Sequence, residues 1–154
     1  MRGSFFPILS TFIMIFAYGE GLPPNELQMT AKDVVLTQLE ALQTNDTPEA
    51  DHGIGIAWKY AHPKNKESTG PLPRFTQMLY SPAYKPLLNH RSHTVTELEN
   101  SRRGEATFEV IVVTGEGVRL KYFWLVERID RDDEKSPWRT TAVSSPSPEG
   151  GNLV

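Results

Sequence analysis

Apolar positions recur at helical intervals through the middle of the chain and at every second position after residue 90. From Ala31 to Gln43, Val34, Val35, Leu39 and Leu42 fall on one stripe, which predicts a helix with one buried face. Thr30 stands where its hydroxyl caps the first free amides, and Asp33 sits in the positive first turn. Thr44-Asn45-Asp46 breaks that helix, and Thr47-Pro48 reads as a cap followed by proline at the first position of a second. This second helix is predicted to reach about Ala61, with Ile54, Ala57, Trp58 and Ala61 on one face. Gly53 and Gly55 each weaken it by about 1 kcal/mol relative to alanine, so tertiary contacts must hold it and a neighbouring backbone is expected close by. His62-Pro63 ends it, and Lys64 to Thr69 reads as a polar loop.

Ser68 to His90 carries four prolines and is too broken for one helix, yet too apolar for a solvent loop. Pro71 opens a predicted third helix with Leu72, Phe75, Met78 and Leu79 at helical intervals, Ser81-Pro82 stops it, and Tyr84, Leu87 and Leu88 suggest one more short turn. The segment reads as a lid over a concave sheet. Strands are then predicted at Ser92–Leu98, Ala106–Thr114, Val118–Arg128 and Trp138–Val143, with Gly115-Glu116-Gly117 as a tight hairpin connection. Residues 99–104 form a loop, and Asp130 to Ser136 a charged turn. Helices followed only by strands imply an α+β fold, with helices packed on a curved antiparallel four-stranded sheet. Alternation turns Phe108, Val110 and Val112 towards the helices, with Leu120, Tyr122, Trp124 and Val126 opposite them. The other face is mostly charged but holds Ile111, Val113, Phe123 and Leu125, which marks it as a candidate homodimer face. A bend of the sheet or the C-terminal tail is the competing cover for those four.

The ends read differently. Arg2 precedes an apolar run, Phe5 to Ala17, of about 13 residues, short of the roughly 20 that span a bilayer. Residues 1–19 fit a secretory signal peptide, with small residues at Ala17 and Gly19, and imply a secreted protein with no stable membrane span. An uncleaved anchor, a misplaced start of the reading frame and an organellar (plastid) import segment are the other readings. Residues 20–29, with Leu22-Pro23-Pro24-Asn25, form a linker, the domain covers 30–143, and the tail 144–154 is expected to be disordered. In a secreted chain Asn45-Asp46-Thr47 is a glycan acceptor sequence, opposed by the proline at 48.

The 154 residues suffice for one domain with one core. A net charge of −3 argues against nucleic acid as a partner, since Arg102-Arg103 is the sole basic doublet. The absence of cysteine excludes thiolate nucleophiles, disulfides and cysteine zinc sites. No glycine-rich phosphate loop, nucleophile elbow or zinc-protease motif occurs, so no cofactor is expected. His90 and His93 lie three apart with no further ligands in sight, and no metal is expected. Asp51 and His52 are neighbours in sequence and point apart on a helix, so they read as capping or surface residues rather than a dyad.

The run DVVLTQLEALQTND, the Gly53-containing helix, STGPLPRFTQML and PAYKPLL resemble an uncharacterised plant-type group of the nuclear-transport-factor-two-like (SnoaL-like, cystatin-like) superfamily. The resemblance spans about Thr30 to Val143 and implies a cone whose mouth can form a pocket. It implies no single activity, because that superfamily includes isomerases, dehydratases, hydrolases and assembly modules. A pocket in such a cone is expected to draw on Trp58, Arg74, Phe75, Met78, Tyr84, Tyr122, Trp124 and Trp138. Two functions follow from it. The first is a non-catalytic module binding a small hydrophobic ligand or a protein partner. The second is a cofactor-independent isomerase or dehydratase with Tyr122 as its catalytic acid or base, Tyr60 and Tyr84 standing next. Arg74 holds an anion at the mouth or pairs with a carboxylate such as Glu67. An open cavity with a carboxylate or imidazole beside Tyr122 would favour the enzyme.

Overall fold

The computed structural model describes residues 28–99 and 102–149. The apolar N-terminal run, the Leu22–Asn25 linker and the last residues of the tail lie outside them. Among the described residues, helices α1 (Ala31–Gln43), α2 (His52–Lys59), α3 (Pro63–Thr69) and α4 (Leu72–Leu79) precede a 3-10 turn at Lys85–Leu87. Five strands follow: β1 (Ser92–Glu97), β2 (Glu105–Val113), β3 (Arg119–Arg128), β4 (Trp138–Val143) and β5 (Ser147–Pro148). The fold is α+β, with helices on one face of a curved, mostly antiparallel and unclosed sheet.

α1 forms where its stripe predicts. The Thr30 side chain and Asp33 make a reciprocal capping box, and Val34, Val35, Leu39 and Leu42 are buried. α2 starts later than expected. Thr47-Pro48 lies in a turn, and Asp51, at φ 61°, precedes the first helical residue without capping it. Asn45 does that work from outside: its Oδ1 accepts from the Ile54 amide at 3.0 Å, and its carbonyl accepts from Gly53 at 2.9 Å. Buried in this role, Asn45 has no exposed amide to offer a glycan. A Cβ on Gly53 would stand 2.1 Å from the Ala41 carbonyl, so α2 crosses α1 where only glycine fits. Gly55 meets nothing comparable.

The expected polar loop at Lys64 to Thr69 is α3. Pro63 occupies its first position, His62 Nδ1 accepts from the Lys64 amide at 3.1 Å, and Gly70, at φ 81°, ends it. None of its residues is buried, which is why no apolar period announces it.

The strands run in the order β1-β2-β3-β4. β2 lies on β3 with Phe108 opposite Trp124 and Val110 opposite Tyr122. Phe108, Val110, Val112, Tyr122, Trp124 and Val126 face the helices and are buried, each worth about 1.5–3 kcal/mol by removal from water. The free edge of β3 is shared. β4 pairs with Trp124–Arg128, shifted by an irregularity between Leu125 and Val126, and β5 pairs with Leu120 and Lys121. Within the tail expected to be disordered, Ser147–Pro148 thus adds a short fifth strand, with Arg119 Nε holding Glu149 Oε2 at 2.6 Å. A parallel bridge between Ala61 and Thr140 ties the end of α2 to β4.

Candidate functional site

Under the β3–β4 half of the sheet the helices stand off and leave a cavity of about 320 Å³, at the small end of the range of ligand pockets. Each wall follows from local sequence. α1 turns Gln38 and Leu42 inward from its buried stripe, and α2 with its following turn presents only Ala57 and Ala61. α3 supplies Asn65, Ser68 and Thr69; α4 and the turn after it supply Phe75, Met78, Leu79, Tyr84 and Leu87. Trp124 and Thr140 to Val143 form the floor, and Ser68, among the wall residues on α3, is exposed.

The polar centre is Gln38, which is 4% exposed. Its Nε2 donates to the Ala57 carbonyl at 2.9 Å, which fixes the amide orientation, since a carbonyl only accepts. Its Oε1 then accepts from Trp124 Nε1 at 3.0 Å and Thr140 Oγ1 at 2.6 Å. One side chain on α1 thereby locks α2, β3 and β4 around the cavity. Asn65 Nδ2 donates to the Thr140 carbonyl at 3.3 Å, and Tyr84 donates to the Val143 carbonyl at 3.0 Å.

Of the eight residues expected in the pocket, Phe75, Met78, Tyr84 and Trp124 line it. Trp58 lies outside, against Phe75 with ring centroids 5.0 Å apart and Lys66 Nζ over its face. Trp138 lies under the guanidinium of Arg128, 4.5 Å from its ring centre. Arg74 is exposed on α4, with its stem against Gly70, and meets neither Glu67 nor any other carboxylate among the described residues. Tyr122 is fully buried away from the cavity, where its hydroxyl donates to the Ala83 carbonyl at 2.9 Å. Burial, with Tyr84 nearby, pushes its phenol up to about 12, so at neutral pH it holds its proton. Tyr60 meets the cations of Lys59 and Arg139. Sequence reasoning missed Gln38, Asn65 and Thr140. Gln38 did leave a signal: a polar side chain four residues after Val34 and four before Leu42, on the buried stripe.

The other titratable groups lie elsewhere. Asp51 accepts from Tyr80 at 2.6 Å, while His52 stands 3.8 Å from Glu49 at the surface, so the two are not a dyad. His90 Nδ1 lies 2.7 Å from the Leu87 carbonyl, and its Nε2 lies 2.8 Å from His93 Nδ1. Burial lowers both imidazoles. Burial lowers His62 too, whose Nε2 finds no partner. Burial pushes the Glu127 carboxyl up, but Arg131 and Lys64 outweigh that and hold it below its ordinary value. No group of three or more metal-ligating side chains occurs among the described residues, and no helix among them is long and apolar enough to cross a membrane.

On the opposite face of the sheet, Ile111, Val113 and Leu125 are half-buried and Phe123 is 42% exposed. The Lys121–Glu109 ion pair, at 3.1 Å, lies among them.

A family model described as "Domain of unknown function (DUF4864)" matches residues 24–150. No curated protein and no solved structure matches the chain.

Proposed function

The chain belongs to this family of domains of unknown function, and from that premise we propose that it is a non-catalytic module whose cavity binds a small, uncharged, mostly apolar molecule. One observation carries the reading. Among the described residues the cavity wall contains no carboxylate, imidazole, amine or guanidinium, and its sole titratable group, the Tyr84 phenol, donates its proton to the Val143 carbonyl. General acid–base chemistry needs a positioned proton carrier within reach of the bound molecule. Apolar binding needs only shape and removal from water. The isomerase reading placed its polar centre at Tyr122, outside this wall, and draws no support from the site. The α+β arrangement and the wording of the helical half support placing the family in the nuclear-transport-factor-two-like superfamily, and secretion through residues 1–19 belongs to the same proposal.

The test is titration of the full chain with the neutral fluorophore N-phenyl-1-naphthylamine. Saturable enhancement at one site is expected, lost in Met78→Trp, which fills the cavity, and in Ser68→Trp, which closes its mouth. A signal that never saturates, or that both folded variants retain, defeats the proposal.

For the outer face we propose a second copy of the chain. Its apolar residues are interspersed with charges of both signs, the Lys121–Glu109 pair among them and the Arg119–Glu149 pair beside Val113, and a two-fold contact requires a patch complementary to itself.

A further inference from the structure

The hydroxyl groups of the residues that line the cavity all donate to acceptors within the protein. Thr140 gives its proton to Gln38 Oε1 at 2.6 Å, and Tyr84 gives its own to the Val143 carbonyl at 3.0 Å. Thr69 donates to the Asn65 carbonyl at 2.8 Å, Ser68 to Lys64 at 3.1 Å, and Thr141 to Leu125 at 3.2 Å. In each of these bonds the hydroxyl must be the donor. Four of these partners are backbone carbonyls, and the fifth is the carbonyl end of an amide already oriented by Ala57. Trp124, the indole in the wall, donates to that same oxygen, which fills both its lone pairs.

A hydroxyl has one proton and two lone pairs. With every proton engaged, what these five side chains still offer a guest is acceptor capacity. The protons left on the cavity's polar side chains are the second amide hydrogens of Gln38 and Asn65, so acceptors outnumber donors. A guest that brings only a carbonyl or ether oxygen would face lone pairs with its own. A carboxylate would do so with a full charge and no cation in the wall.

We infer that the cavity selects guests carrying a hydrogen-bond donor on an apolar body, a small alcohol or phenol, over ketones and hydrocarbons of the same shape. The inference rests on the binding reading above and deepens it. It also bears on chemistry: an enolate or other oxyanion formed here would meet lone pairs where an enzyme presents donors.

The test uses three bicyclic guests of near-equal shape, indane, 2-indanol and 2-indanone, each displacing N-phenyl-1-naphthylamine from the full chain. One well-made hydrogen bond is worth about 0.5–1.5 kcal/mol, so 2-indanol should displace the fluorophore roughly 2- to 10-fold more tightly than the other two. Equal displacement by all three, or a lead for 2-indanone, overturns the selection while binding stands. Displacement by none overturns the binding reading and the selection with it.

Discussion

The two halves of the helix–sheet interface are built from the same strands and differ in how they are filled. Under β2 and the middle of β3, Phe108, Val110, Val112 and Tyr122 are fully buried in the core cluster that also holds the apolar stripe of α1. Under β3 and β4, small residues on α2 and the shifted pairing after Leu125 leave the sheet and helices apart. A polar node centred on Gln38 holds that gap open. Apolar side chains collapse onto one another wherever they reach, so a persistent cavity needs a rigid polar frame to resist collapse. The filled half supplies stability, and the framed half supplies the room to bind.

The largest effect that would sharpen this contrast is loss of a big side chain. Phe108→Ala in the sealed half and Trp124→Ala beside the cavity should each cost about 3–5 kcal/mol in a denaturant melt. A loss near zero for Trp124→Ala would mean that it faces water and that the two sheet faces have been exchanged. Gln38→Leu should cost about 1–3 kcal/mol, because Thr140 and Trp124 keep buried donors with no acceptor. A gain in stability would show that the node is dispensable and the contrast false.

Acid should come next. His62, His90 and His93 all lie below their ordinary value near 6.5, chiefly because burial disfavours the charged imidazole. The unfolded chain therefore binds protons first as pH falls through about 6.5, and the folded state loses stability from there downwards. Glu127 adds a second loss below its ordinary value of 4.5, because the folded state holds it ionised. The melting temperature should fall between pH 7.5 and 5.5. It should fall less steeply in His62→Asn, which keeps an oxygen to cap α3; equal slopes would remove His62 from this account.

The smallest effect on stability belongs to the outer face. Phe123→Lys with Leu125→Lys should change unfolding by little more than about 0.5 kcal/mol, as surface substitutions do, yet shift the sedimenting mass from dimer to monomer. An unchanged mass rules out that interface.

How much of this could be read in advance depended on periodicity. α1, the four long strands and the inward set from Phe108 to Val126 were legible because burial on one side of a regular element imposes a repeat on the chain. α3 was not, because an exposed helix held by a histidine cap and a proline leaves no apolar repeat. The start of α2 was misread because its cap, Asn45, acts across a turn rather than next to the helix. The pocket was half legible: Phe75, Met78, Tyr84 and Trp124 stand in it, while Trp58, Arg74, Tyr122 and Trp138 do not. Aromatic residues mark where a core is, not whether it is full.

The order of residues alone thus determined which faces are buried and that helices must cap a sheet, since water sorts apolar from polar side chains locally. Only the tertiary structure decided that the tail adds a fifth strand, that Gln38 joins three elements, and that room remains among them. Those outcomes depend on contacts between residues as distant as Gln38 and Thr140, 102 positions apart. No local repeat records a distance of that kind.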